Sequence, residues 1–343
     1  MTELLAKLGL PPFNPLPGLA SGHSQTLASY LFPYNPFLSD KTQHIITLAD
    51  GDKIVLIENR PLLWRPSQRI ILMLHGLTGN HQSKYLVRIT QKLVALGFLV
   101  MRLDMRGCGA GAGLAKHLYH SGRSEDPRTI LGWLKTRFPN SPVTQIGFSL
   151  GGNVTLKMAG EDSARPSGNL DSIVAVSPPL DLYASVSMII QEQNKVFDQH
   201  FIKTLLNDVN ITHRAFPELP KPQFPPKLNT FLFDELYTAP YNNFKNAMDY
   251  YTQSSSSQFL HSITLPTFIL HAKDDPLVSQ NTFMRLPKRD GLELLLTEHG
   301  GHVAWLGFTG KRFEYRWMDR VIVEWIKLID QENTSYRPSD NVG

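Results

Sequence analysis

The chain has 343 residues, 42% of them hydrophobic, enough to bury one large core and read as a single main domain. With 34 basic and 30 acidic residues the formal charge is only +4, and no block of Lys and Arg interleaved with aromatics marks a nucleic-acid surface; peripheral contact with an anionic membrane stays open. The single Cys108 excludes an intramolecular disulfide and a cysteine-rich metal site, no apolar run reaches the roughly 20 residues that span a bilayer, and Glu3 and Lys7 interrupt any secretory-type opening, so a cytoplasmic location is expected.

Residues 1–45 carry Pro11, Pro12, Pro15, Pro17, Pro33 and Pro36 among aromatic residues, which predicts an extended arm wrapped over a body. Strands are predicted over 53–56 and 69–74, the second continuous enough to be buried on both faces. A helical pattern over 83–96 and a strand over 98–103 complete one βαβ unit. The rhythm repeats with a helix over 124–138, a strand over 143–148, a helix over 149–159 and a strand over 172–177. Such alternation implies an α/β fold with a mostly parallel sheet covered on both faces. Between 181 and 260 it stops, and Pro217, Pro220, Pro222, Pro225 and Pro226 interrupt an aromatic-rich region that reads as an inserted helical cap. The core, 46–180, resumes over 261–331 with strands at 267–271 and 292–296 and a helix over 313–330, whose Trp317, Val321, Trp325 and Leu328 form one stripe. Residues 332–343 read as a frayed polar tail.

Gly147-Phe148-Ser149-Leu150-Gly151 falls where a buried strand ends and a helix begins, the setting of a nucleophile elbow and hence of an α/β-hydrolase fold. The sharp turn strains the serine backbone and needs small neighbours, and its hydroxyl then projects at the positive end of a helix. A hydroxyl nucleophile requires a base. His302, in a loop with Gly300 and Gly301 after the last strand, is preferred to His299 because the glycines let it swing over the sheet. A carboxylate must orient that imidazole, and Asp275 is preferred to Asp274. The chain order serine, aspartate, histidine is the one expected of this fold. His75-Gly76-Leu77-Thr78-Gly79 follows another strand, so the backbone N–H groups of Leu77 and Leu150 are assigned to an oxyanion hole. Asp104 and Arg106 are read as a structural ion pair and Gly22-His23-Ser24-Gln25-Thr26 as a polar turn. No metal-binding motif and no cofactor are called for.

These motifs, together with Asp50-Gly51-Asp52, Thr238-Ala239-Pro240 and His271 to Val278, give the chain a resemblance to the YheT-like hydrolases, relatives of plant and animal membrane-associated esterases and lipases. The resemblance spans nearly the whole chain. It implies a triad at Ser149, Asp275 and His302 and ester or lipid substrates. Some animal relatives bear an H-x-x-x-x-D acyltransferase motif, which no histidine here begins. The resulting expectation is a serine carboxylic-ester hydrolase acting through an acyl-enzyme on small-molecule esters, short- to medium-chain or lipid-like. The alternative is a noncatalytic lipid- or partner-binding protein on the same fold; oligomeric state is not legible.

Overall fold

The computed structural model describes residues 2–38, 41–286 and 289–335. Eight strands form one sheet in the order β1-β2-β4-β3-β5-β6-β7-β8, where β1 is Thr42–Thr47, β2 Lys53–Asn59, β3 Ile70–Leu74, β4 Leu99–Asp104, β5 Val143–Phe148, β6 Leu170–Val176, β7 Thr267–Ala272 and β8 Leu292–Thr297. Pairing is antiparallel from β1 to β2 and from β2 to β4 and parallel elsewhere. The chain passes from β3 out to β4 and then returns to the other side of β3 for β5. That reversal opens a crevice at the carboxyl ends of β3 and β5, where open α/β sheets bind ligands.

Strand side chains alternate between two apolar layers. Ile71, Met73, Ile146 and Phe148 face helix α1 (Thr2–Lys7), α3 (Lys84–Ala95) and α11 (Trp317–Ser335), whereas Ile70, Leu72 and Leu74 face α4 (Glu125–Arg137) and α5 (Leu150–Glu161). Every residue of β3, β4 and β5 is buried, as expected of central parallel strands. Full burial of each such aliphatic side chain contributes about 1.5–3 kcal/mol.

Several elements depart from the expectation. The first segment is tied down rather than merely extended. Leu4, Leu5, Leu8 and Leu10 enter the core, and the ten-residue helix α2 (Gly22–Leu31) stands where a polar turn was expected. A reciprocal cap between Ser21 and Ser24 starts α2, a signal that outweighs the surrounding prolines. Strand β1 crosses the expected boundary at 45/46. The closing helix runs to Ser335, beyond the expected start of the tail at 332; positions 336–343 lie outside the described residues.

The expected Asp104–Arg106 pair is replaced by two separate networks. A turn closed by Cys108 N–H to the Met105 carbonyl begins just after β4 and carries Arg106 to Asp126, which it grips with Nε and Nη2 at 2.8 and 2.7 Å, and to Asp52 at 2.8 Å. Asp104 instead accepts from His81 Nδ1 at 2.6 Å and from Ala110 N–H at 2.8 Å. Arg106, Asp52 and Asp126 are all buried. Removing one partner of such a network leaves uncompensated charge, so Arg106→Ala is expected to lose about 3–5 kcal/mol in urea denaturation. A loss below about 1 kcal/mol would contradict this account.

Candidate active site

The β5–α5 turn positions Ser149. Its backbone is at φ 50°, ψ −120°, a region that a side chain rarely adopts. Two glycines permit the turn. A Cβ on Gly147 would fall 2.1 Å from the Gly151 carbonyl oxygen, and one on Gly151 would fall 2.5 Å from that of His75. Ser149 N–H also donates to the Val176 carbonyl at 2.8 Å, fixing the turn to β6.

Above it, Ser149 Oγ lies 2.8 Å from His302 Nε2, and His302 Nδ1 lies 2.8 Å from Asp275 Oδ2. With Nδ1–H donating to the carboxylate, Nε2 is left to accept the serine proton. Asp275 Oδ1 accepts from the N–H groups of Leu277 and Val278, at 2.8 and 3.1 Å. Burial alone would raise the Asp275 pKa, but the charge and hydrogen bond of His302 and the Leu277 N–H pull it below the ordinary carboxylate value. His271 lies 3.9 Å from the same carboxylate and stacks on Phe283. Burial pushes its pKa down to about 4, so it is neutral and does not compete for the negative charge.

The rival residues have their own task. Asp274 Oδ2 meets His299 Nδ1 at 3.2 Å and Oδ1 accepts from Gly301 N–H at 2.9 Å, so this pair braces the turn that presents His302.

The segment after β3 is held open by two tyrosine hydroxyls that sequence reasoning did not single out. Gly76 N–H donates to Tyr85 Oη at 2.9 Å, Thr78 N–H to Tyr119 Oη at 2.6 Å, and Gly79 N–H to the Gly76 carbonyl at 3.0 Å. His75, buried, donates from Nδ1 to the Gly76 carbonyl and accepts the Met105 N–H at Nε2. The Leu77 and Leu150 N–H groups take no acceptor among the described residues, and both residues line the same cavity as Ser149 and His302. Nothing in the motif itself pointed to Tyr85 or Tyr119, which lie 9 and 41 positions from their acceptor-seeking amides.

That cavity and its open mouth together hold about 890 Å³ of atom-free space, solvent at the mouth included. Between β6 and β7 the chain forms α6 (Leu182–Ile189), α7 (Lys195–Ala215), α8 (Thr230–Phe233), a π-helical turn (Asp234–Thr238), α9 (Ala239–Tyr241) and α10 (Ala247–Ser254). Val186, Ile189, Phe201, Leu205 and Phe233 from these helices make much of its wall apolar. Asp234 adds a carboxyl to that wall. Its carboxyl accepts from Thr238 Oγ1 and Tyr251 Oη at 2.6 and 2.8 Å; burial pushes its pKa up to about 6 against the opposing effect of those hydrogen bonds. Elsewhere, Asp50, Asp52 and His117 bring three possible metal-ligand atoms within 4.8 Å, but the Arg106 guanidinium already faces both carboxylates. Among the described residues no helix is long and apolar enough to cross a membrane.

Residues 69–307 match the α/β hydrolase fold family, and the chain belongs to it. The Escherichia coli (strain K12) protein YheT, which carries an esterase name, is 31% identical over 92% of each chain. Monoacylglycerol lipase of Saccharomyces cerevisiae is 30% identical over 77% of this chain, which spans only 60% of the lipase's length. Of solved structures, the esterase Pf2001 of Pyrococcus furiosus aligns with TM-score 0.53 at 18% identity, covering 87% of this chain and 94% of that one. Est1E of Butyrivibrio proteoclasticus with ferulic acid bound aligns at 0.54 and 15%, covering 84% and 99%. At these identities the two structures are relatives in fold.

Two outcomes follow from the geometry. Glycine adopts the Ser149 backbone without strain, so Ser149→Gly is expected to be more stable than Ser149→Ala, by about 1 kcal/mol after the extra chain entropy of glycine is deducted; equal urea midpoints would remove the strain argument. A folded-state pKa of about 6 against an ordinary 3.8 means that the folded protein holds the Asp234 proton more tightly. Its contribution is therefore complete below pH 3.8 and is lost as pH rises through about 6. The unaltered chain should lose melting temperature between pH 4 and pH 7 on this account, and Asp234→Asn, which cannot ionise, should flatten that fall.

Proposed function

We propose that this chain is a serine carboxylic-ester hydrolase in which Ser149 is the nucleophile, His302 the general base and Asp275 its orienting acid. The observation that carries this reading is the unbroken relay of two 2.8 Å contacts from Ser149 Oγ to His302 and from His302 to Asp275. Ser149 Oγ attacks the ester carbonyl as His302 Nε2 takes its proton. The carbonyl oxygen becomes an oxyanion received by the Leu77 and Leu150 N–H groups. Collapse of the tetrahedral species expels the alcohol, which takes the proton back from His302, and leaves an acyl group on Ser149. Water, deprotonated by the same imidazole, then releases the acid. The buried Asp275 carboxylate stabilises the imidazolium formed in each half-reaction.

The chain between 181 and 260 serves in this proposal as the cap over the site. The apolar wall it contributes suits the acyl chain of short- to medium-chain or lipid-like esters. No cofactor enters these steps.

A fluorophosphonate probe should label the unaltered chain and fail to label Ser149→Ala, whose kcat should fall about 10⁶-fold. Asp275→Asn should lower kcat by roughly 10⁴-fold with geometry retained, because the imidazole loses the partner that sets its tautomer. Since Asp275 is held below the ordinary carboxylate value, the acid limb of kcat/KM should not follow protonation of that carboxylate. An unlabelled chain would instead support a noncatalytic binder. A series of p-nitrophenyl esters reports acyl length, and sole preference for acetate would exclude the lipid-like class.

A further inference from the structure

Helix α2 has no part in the chemistry above, yet it touches both turns that carry the proposed acid and base. Gly22 sits so close to the acid turn that a Cβ would fall 1.7 Å from the Asp274 carbonyl oxygen. One helical turn later, Thr26 Oγ1 donates to the Gly22 carbonyl at 2.7 Å and accepts the His302 N–H at 2.9 Å. Gln25, fully buried, accepts the Leu306 N–H at 2.7 Å and donates to the Leu306 carbonyl at 2.9 Å. On the acid side His23 Nε2 meets Asn194 Oδ1 at 2.8 Å, and Asn194 Nδ2 donates to the Pro276 carbonyl at 2.8 Å.

The turn so gripped is strained. Within five residues Gly301, Val303 and Trp305 all have positive φ, of 61°, 52° and 45°. A non-glycine residue there costs on the order of 1–3 kcal/mol and persists only where its surroundings over-determine it. Helix α2 supplies such surroundings on both sides, at His302 and at Leu306. Its C-terminal end is also pinned to the residue that precedes α11, through Arg316 Nη2 to the carbonyl of Phe32, the residue that caps α2, at 3.1 Å.

We propose that α2 is a positioning element for the site: Thr26 and Gln25 hold the His302 turn in the one conformation that reaches Ser149, and His23 acts on the acid turn through Asn194. This rests on the triad reading and adds to it residues that touch no reacting atom. It also gives a task to Gly22-His23-Ser24-Gln25-Thr26, which the chemistry leaves unexplained.

Thr26→Val keeps the shape and removes the hydroxyl, whereas Thr26→Ser keeps the hydroxyl. With p-nitrophenyl butyrate, Thr26→Val should lower kcat and the rate of fluorophosphonate labelling 10- to 100-fold, the scale of an ångström-sized misplacement, with KM within about two-fold. Thr26→Ser should restore most of that loss, and circular dichroism should show both variants folded. His23→Phe, at a half-buried position, tests the acid side and should lower kcat with KM held. Labelling of Thr26→Val at the unaltered rate, equal losses in the Val and Ser variants, or an unchanged kcat in His23→Phe together with folded Thr26→Ser that does not recover, would overturn the proposal. Those results leave the serine reading standing; absence of labelling in the unaltered chain overturns the serine reading first, and this one with it.

Discussion

The close approach of the β5–α5 turn to the end of β3 is the constraint on which the site depends. Gly151 packs where a Cβ would meet the His75 carbonyl, and Gly76 lies where one would come within 3.1 Å of the Ser149 Cβ. The serine is therefore held directly beside the 76–79 segment, whose Leu77 N–H is left without an acceptor among the described residues. A larger residue at either glycine would separate the attacking oxygen from the donors proposed to receive the oxyanion. Preorganisation of this kind is worth more than any single contact, because donors fixed in advance need not reorganise when charge develops.

Around that fixed point the other parts are brought in by loops, each braced by its own hydrogen bonds. The 76–79 segment hangs on Tyr85 and Tyr119, the acid turn on its own N–H groups and on Asn194, and the histidine turn on Asp274 and Thr26. The burden of each brace differs. Asp275 Oδ1 is held locally, by the N–H groups of Leu277 and Val278 within three positions of it. The turn bearing His302 contains positive-φ residues and is held from 276 positions away.

That difference in range accounts for what the sequence disclosed. β3, β5 and β7 are buried on both faces, and these strands and the half-buried, leucine-rich β8 were legible nearly to the residue. The Gly147–Gly151 pattern and the paired aspartates and histidines are local, and in the structure Asp275 faces His302 while Asp274 faces His299. Strand β1 was not legible, because its edge position leaves it largely exposed and its pattern polar. Arg106 was misassigned because proximity along the chain says nothing about a side chain carried past a turn. Helix α2 was missed because proline-rich flanks mask a short helix started by a serine cap.

The same reasoning bears on where the fold places its unfavourable features. Ser149 with a strained backbone, His271 kept neutral by burial and Asp234 with a raised pKa all lie around one crevice, whereas the sheet's two apolar layers are regular. A domain only about 5–15 kcal/mol more stable than its unfolded chain can hold several such features only if the surrounding framework is rigid enough to prevent their relaxation. Here the framework extends past the sheet to the first thirty residues. Phe13 packs against Trp317, and the Trp317 indole donates to the Pro11 carbonyl at 3.0 Å, so the segment that grips the histidine turn is itself anchored in the core. The opening of the chain is thus part of the support for the site, although every one of its contacts to that site is made by backbone or by side chains that carry out no chemistry.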